Sequence, residues 1–303
     1  MGSFPPTPSP REQRPAPEFL RPEYGFNPPP PPPVRRRRPS WSYAPATYTL
    51  VAINCLVFLV MIAHHVSATG PNVDQLMYWG ADNAGSVLIQ GQWWRIVTAM
   101  FVHVGIIHLA TNMWCLWNLG LLAEPLMGST GVLAVYILTG AAGNLLSTFK
   151  NWWVVYPELT DLAKRYHGSV PIDQVLGLFS PGAGASGAVF GIAGALIILL
   201  NSHLLPVPRA ELKRLRKSVI YFAALNLVIP IFFNFGASAI HSGVRIDSMA
   251  HLGGFSCGLL FAAPLVPRIG APRELFLFRL RVATVMIVGI LVLFSFYLAQ
   301  LPR

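Results

Sequence analysis

Apolar runs long enough to cross a bilayer recur along most of this chain. A transmembrane helix needs about 20 consecutive, mostly apolar residues. Seven runs of roughly that length lie at 47–67, 106–127, 131–149, 185–203, 218–240, 248–266 and 279–299. Charged residues make up only 11% of the sequence, against about 25% in ordinary soluble domains. The sequence therefore predicts an all-α polytopic membrane protein with seven spans.

The first 46 residues have a different composition. They hold 15 of the 27 prolines, including Pro28–Pro33, and the four arginines Arg35–Arg38 follow that run. Such a segment buries little apolar surface, so we expect a disordered tail with polyproline II character. Two roles are open for it. It is either a docking segment for a proline-binding partner or a solvated tether whose charges orient the first span, and we favour the tether.

The basic residues predict how the chain is oriented. Of the 22 lysines and arginines, 16 fall in the tail and in the segments 204–217 and 267–281, which all lie on one side of the predicted membrane. Cytoplasmic loops carry such an excess, so we expect a cytoplasmic N-terminus and a C-terminus outside. The membrane orientation thereby accounts for the net charge of +10. Nucleic-acid binding would instead require the basic residues to be gathered on one soluble face.

Four polar side chains inside the predicted spans attract attention, because such groups are costly in lipid. They are His108, Asn112, Ser186 and His251. The second, fourth and sixth spans all enter from the outer face. At 1.5 Å per residue, these side chains lie within roughly 10 Å of the outer surface. We therefore expect three helices to bring them to one level.

This combination fits nucleophilic catalysis. A serine hydroxyl needs a base, usually histidine, and the tetrahedral intermediate needs hydrogen-bond donors. Ser186 lies in "GAGASGAVFG", where small residues could equally serve helix packing. No acidic residue is deep enough to complete a triad, and Asp247 is better placed as the N-cap of its helix. A Ser–His dyad without metal or cofactor is the favoured interpretation.

Other polar and small residues have structural interpretations. Gly254 and Gly258 form a GxxxG face that we expect to pack on the fourth span. Glu124, near the inner end of the second span, is expected to make a helix-stabilising contact. His103 is expected to be structural.

Four motifs in this order resemble the rhomboid family of intramembrane serine proteases. They are "WWR" at 93–95, "HLATN" at 108–112, "GASG" at 184–187 and "AHLGG" at 250–254. The resemblance covers roughly residues 47–266 and implies a six-helix protease domain there. The tail, 1–46, precedes it. A basic linker and a seventh transmembrane helix, 267–303, follow it.

By this resemblance, Ser186 would be the nucleophile and His251 its base. His108, Asn112 and Gly184 would form the oxyanion and substrate-binding site. The family also implies transmembrane protein substrates, cleavage near the outer face, and a lateral gate at 234–241. The polyproline tail and the N-in topology suit a bacterial cell membrane, with a eukaryotic organelle as the alternative, and membrane lipids would surround the spans. One departure is Phe190, often tyrosine in the family, whose ring can still pack under His251.

Two alternatives belong to other classes. A non-catalytic rhomboid-like protein would bind transmembrane clients without cleaving them, but such relatives usually lack the serine or the histidine. A transporter with a midplane site is disfavoured, because the polar cluster lies near one face and the two halves show no repeat.

Overall fold

Long apolar helices build the part of the chain that the computed structural model describes, residues 43–167, 169–202, 205–239, 247–265 and 272–301. Within these ranges the helices are α1 (Pro45–Ala63), α2 (Val73–Tyr78), α3 (Ala84–Leu88), α4 (Arg95–Thr98), α5 (Ile106–Arg165), α6 (Ile172–Gly177), α7 (Ser186–Leu199), α8 (Arg209–Ala239), α9 (Ser248–Ala262) and α10 (Arg273–Ala299). A 3-10 turn, Ala99–Phe101, links α4 to α5. The tail up to residue 42, the end of the predicted gate at 240–241 and most of the 267–272 linker lie outside the described residues.

All seven predicted spans coincide with helices. The second and third are the two arms of α5, which is broken at Gly128 by φ 72° and ψ 167°. That left-handed φ favours glycine, and it lets the chain reverse between the arms. By length and composition, α1, α5 and α10 can each cross a membrane. The chain is an all-α polytopic membrane protein, as the sequence predicted, with a seventh span following a six-helix core.

The centre of the core is the contact between α7 and α9. Nearly every residue of α7 is buried. A Cβ added to Gly254 would collide with the carbonyl of Gly187, and one added to Gly258 would collide with the carbonyl of Gly191. The predicted GxxxG packing is therefore confirmed. Backbones this close fix the register between the two helices, because neither can slide without a clash.

Glu124 ties α5 to the beginning of α1. Its carboxylate accepts hydrogen bonds from the Ala46 and Thr47 backbone N–H groups, each at 2.9 Å, and from the Thr47 and Ser129 hydroxyls, each at 2.7 Å. The first N–H groups of any helix lack intrahelical partners. Glu124 satisfies two of them from another helix, which confirms the predicted stabilising contact.

The third span is longer than its apolar run. The sequence predicted its end at residue 149, but α5 continues to Arg165. An established helix extends at little cost per residue, and here the extension gains packing. Trp152 is 1% exposed, and its ring stacks on Phe179 with centroids 5.8 Å apart. A separate short helix, α6, follows before α7.

Candidate active site

Ser186 is the first residue of α7, and the backbone before it is held tightly. Gly184 has a φ of +128°, a value that glycine adopts without strain. Its N–H donates to the Ala99 carbonyl at 2.9 Å. No side chain of the described residues caps this helix end. The N–H groups of its first turn therefore point, with the positive end of the helix dipole, at the space beside the half-buried Ser186.

His108 lies directly against the segment that leads to Ser186. A Cβ on Gly184 would come within 2.5 Å of His108 Cε1 and 3.0 Å of Nε2, so only glycine leaves room for the imidazole. One turn along α5, Asn112 is buried, and its Nδ2 donates to the His108 carbonyl at 2.8 Å. That bond orients the Asn112 amide and leaves its second N–H available.

His251 enters the same region from α9. Its ring is 5% exposed and stacks on Phe190, with centroids 4.3 Å apart and an angle of 13° between the planes. The expectation that Phe190 packs on His251 is confirmed. The residues next to the predicted dyad also touch, since a Cβ on Gly187 would lie 3.2 Å from the Ala250 carbonyl oxygen.

The predicted pair is not hydrogen-bonded. Among the described residues, no hydrogen bond joins the Ser186 hydroxyl to the His251 imidazole, and His251 Nδ1 is buried with no partner there. Asp247 does not reach the ring as a third member. Its carboxylate accepts from the N–H groups of Met249 and Ala250 at 3.0 and 3.1 Å, so it is the N-cap that the sequence predicted.

His103 is a neighbour of this site that sequence reasoning treated only as structural. It is fully buried, and its ring centroid lies 5.3 Å from that of His108. Burial, followed by the proximity of His108, lowers the pKa of His103 to about 3, while the Phe101 carbonyl acts in the opposite direction. The neutral ring therefore accepts at Nε2 from the Ala185 N–H, at 3.5 Å. The five-residue spacing in "HVGIIH" was the available signal, since both histidines flank the start of α5.

The loop between the first two spans is organised around a buried arginine. Arg95 is 8% exposed and donates to the carbonyls of Met77 and Ala81 at 2.7 and 2.9 Å. Its guanidinium lies 4.5 Å from the centroid of the Trp94 ring, whose side chain is half exposed. The loop is joined to the segment before Ser186 by two backbone hydrogen bonds between Asp82 and Gly182, each 2.8 Å long.

No three His, Cys, Asp or Glu side chains in the described ranges converge on a point that could hold a metal ion. The polar groups of the site instead lie beside Gly184, Ala185 and Phe190, around the N-terminus of α7. This arrangement defines a class, the polytopic helical membrane proteins with a polar site near one end of the helix bundle.

Comparison with known proteins places the chain within that class. The rhomboid domain family matches residues 90–268, more than half of the sequence, and the chain belongs to the rhomboid family. Rhomboid protease AarA of Providencia stuartii is 31% identical over 218 residues, which cover 71% of this chain and 70% of that protein. Rhomboid protease GluP of Bacillus subtilis is 30% identical over 226 residues, which are 74% of this chain but only 36% of that longer protein. RHOMBOID-like protein 1 of Arabidopsis thaliana is 29% identical over 193 residues, covering 63% of this chain and 39% of that protein.

Proposed function

We propose that this protein is an intramembrane serine endopeptidase that cleaves transmembrane proteins through Ser186 and His251. The observation that carries the proposal is the arrangement of the two helices. Ser186 opens α7, His251 lies on the ring of Phe190 from the same helix, and their neighbours Gly187 and Ala250 are in contact. Two relatives named rhomboid proteases, at about 30% identity, support the same activity.

The proposed reaction is acyl transfer to the serine, followed by hydrolysis. His251 takes the proton of the Ser186 hydroxyl as the oxygen attacks the substrate carbonyl carbon. The carbonyl oxygen becomes an oxyanion, and the Ser186 N–H, Asn112 Nδ2 and a ring N–H of His108 are the proposed donors. His251 then gives its proton to the leaving amine as the C–N bond breaks. A water molecule, deprotonated by His251, then attacks the acyl carbon, the bond from that carbon to Ser186 Oγ breaks, and His251 returns the proton to Oγ as the acid product leaves.

Among the described residues, the Ser186 hydroxyl and the His251 imidazole are not hydrogen-bonded to each other. Catalytic hydrogen bonds are often long in unliganded enzymes and tighten when substrate binds. The Phe190 ring, stacked on His251 with centroids 4.3 Å apart, holds the plane of the imidazole. We propose that substrate entry brings the hydroxyl and the imidazole within hydrogen-bonding distance.

The length of α7 supports cleavage close to one membrane surface. Its 14 residues span about 21 Å, roughly 9 Å less than the hydrocarbon thickness. With the end of α7 at the inner boundary, Ser186 would lie about 10 Å below the outer surface. The N-in, C-out orientation rests on the distribution of basic residues, and residence in a bacterial cell membrane is part of the proposal.

The proposed domains are the tail at 1–46, the protease domain at 47–266 and the linker with the seventh helix at 267–303.

The substrates would be transmembrane segments that unwind easily near their outer end, because a peptide bond in an intact helix is sterically shielded. The tail as a docking site for a proline-binding partner remains a secondary proposal.

Cleavage of a reconstituted model transmembrane substrate tests the activity. Wild type should cut it, and Ser186→Ala and His251→Ala should each lose activity. Ser218→Ala is the matched control, because the Ser218 hydroxyl is exposed and bonds only to the Arg214 carbonyl of its own helix. A fluorophosphonate should label wild type and not Ser186→Ala. If wild type bound the substrate, and neither Ser186→Ala nor His251→Ala changed what happens to it, the proposal of a protease would give way to a protein that binds transmembrane clients without cleaving them.

A further inference from the structure

Two adjacent hydroxyls near the middle of the second arm of α5 bind two carboxylates that belong to different parts of the site. Ser147 donates to Asp247, and Thr148 donates to Asp82 at 3.1 Å. Ser147 and Thr148 are 3% and 0% exposed, and Asp82 is 4% exposed. Buried carboxylates need such partners, because an unsatisfied one is costly. The proposed reaction uses neither hydroxyl.

The Ser147 face of α5 holds the helix of the proposed base. Asp247, which Ser147 binds, caps α9 four residues before His251. Asn151, one turn later on the same face, donates to Ser147 Oγ at 3.3 Å. One turn earlier, Gly143 faces the Ala250 carbonyl so closely that an added Cβ would lie 2.5 Å from the oxygen. This face therefore fixes both the depth and the direction with which α9 begins.

The Thr148 face holds the segment of the proposed nucleophile. Asp82, which Thr148 binds, is paired with Gly182 through both backbone hydrogen bonds. Gly182 lies four residues before Ser186. One turn earlier on the same face as Thr148, Asn144 Nδ2 donates to the Ile96 carbonyl of the first loop at 2.8 Å. This face thus fixes the first loop and, through it, the start of α7.

Consecutive residues on a helix point about 100° apart. A single turn of α5 can therefore contact two neighbouring segments, α9 and the first loop. Residues four apart share a face, which explains why Gly143 acts with Ser147 and Asn144 acts with Thr148. On α5 the two sets of anchoring contacts lie on adjacent residues, Gly143 beside Asn144 and Ser147 beside Thr148. The elements that carry Ser186 and His251 are therefore both anchored to one segment of a third helix, in addition to the direct packing of α7 on α9.

We propose that Ser147 and Thr148 are positioning residues that set the separation of Ser186 and His251. Ser147 does so by anchoring α9 through Asp247, and Thr148 by anchoring the first loop and its bridge to the nucleophile through Asp82. The inference rests on the proposed proteolytic function. Neither hydroxyl touches the reacting atoms, so its effect is confined to the geometry of the pair.

The test compares Ser147→Ala and Thr148→Val with matched changes that remove a hydroxyl bonded only within its own helix. Ser218→Ala and Thr284→Val serve as these controls, since their hydroxyls bind the carbonyls four residues earlier. Full-length protein in proteoliposomes is assayed for kcat and KM, and the rate of fluorophosphonate labelling of Ser186 is measured in parallel. Because small misplacements of reacting groups are costly, we expect kcat and the labelling rate to fall about tenfold or more in both test variants. KM should stay within about twofold, because the substrate-binding surface is unchanged.

Conservative variants separate positioning from a general loss of stability. Ser147→Thr and Thr148→Ser keep the hydroxyl and should restore at least half of the wild-type kcat. If Ser147→Ala fails to fold, Asp247→Ser replaces it, and if Thr148→Val fails to fold, Asp82→Ser, which is likewise too short to reach Thr148, replaces it. Serine caps a helix about as well as aspartate but is too short to reach Ser147, so kcat should still fall.

Three results would overturn the inference: wild-type kcat in the test variants, a defect confined to KM, or failure of the conservative variants to restore kcat. Each of these leaves the proteolytic function intact as long as wild type cleaves and Ser186→Ala does not. Failure of wild type to cleave would instead remove the proposed function itself.

Discussion

Gly143 on α5 faces the carbonyl oxygen of Ala250, the residue immediately before His251, at a place where no side chain fits. A Cβ built on Gly143 would lie 2.5 Å from that oxygen and 3.2 Å from the Ala250 carbonyl carbon. The obstacle is backbone, so it cannot rotate away. Gly143→Ala must therefore move one helix relative to the other, and the first residues to move are those that carry His251.

The size of the movement follows from the contact distance. An ordinary contact for a Cβ begins at 3.4 Å, so α9 must retreat by about 0.9 Å from its position 2.5 Å away. Inserting a methyl group into a tight contact costs about 1–3 kcal/mol of stability. A displacement near 1 Å at the reacting groups can lower the rate about 100-fold, equivalent to about 2.7 kcal/mol of transition-state stabilisation. We expect kcat to fall by that order while the protein stays folded.

Gly289→Ala is the control, because an added Cβ at Gly289 on α10 meets nothing within 4 Å. Both variants are compared with wild type for cleavage of a reconstituted substrate and for thermal unfolding in detergent. Gly289→Ala should match wild type in both assays. Full activity in Gly143→Ala at unchanged stability would show that α9 is not held against α5 as described, and the reasoning from this contact would fail.

Two further predictions concern buried carboxylates outside the dyad. Glu124→Gln should lower the free energy of unfolding by about 1–3 kcal/mol. The reason is that an amide has one acceptor oxygen, whereas the donors around Glu124 now bind two. Denaturant or thermal unfolding measures the change, with the exposed Glu158→Gln as control, and equal stabilities of the two variants would contradict the prediction. For Asp82, burial and then the nearby Asp247 raise the pKa from 3.8 to about 7, against the opposing Thr148 hydrogen bond. The folded state therefore holds the Asp82 proton more tightly than the unfolded state, and this stabilisation is complete below about pH 4 and is lost as the pH rises through 7. When the pH rises from 5 to 8, the free energy of unfolding of wild type should fall by roughly 3 kcal/mol more than that of Asp82→Asn. An equal change in the free energy of unfolding of the two proteins between these pH values would refute the assignment.

The sequence predicted the spans and the polar level well, because both depend on local patterns. An apolar run of about 20 residues has few alternatives to a membrane helix. Once the spans are assigned, position along each one gives depth. His108 is the third residue of α5, Ser186 the first of α7 and His251 the fourth of α9. The sequence could therefore predict that these residues lie near one end of three helices without information on how the helices pack.

Features that depend on contacts between distant segments were not predictable in this way. The α5 extension past residue 149 is polar enough to resemble a loop, and its reason for staying helical is the burial of Trp152 against Phe179. His103 looked structural because its partner, the Ala185 N–H, is 82 residues away. Serines and threonines are frequent in membrane helices, so the adjacent hydroxyls Ser147 and Thr148 gave no signal until Asp247 and Asp82 were seen beside them.

The cap of α1 has a consequence for the order in which this protein matures during synthesis. The N–H groups of Ala46 and Thr47 are satisfied by Glu124, 78 and 77 residues further along the chain. When α1 leaves the ribosome, the residue that completes its first turn has not yet been made. The beginning of α1 must stay hydrated or frayed until the second span has inserted beside it. A nascent chain arrested before residue 124 should therefore expose this turn to solvent and to proteases, and a chain arrested after the second span should protect it.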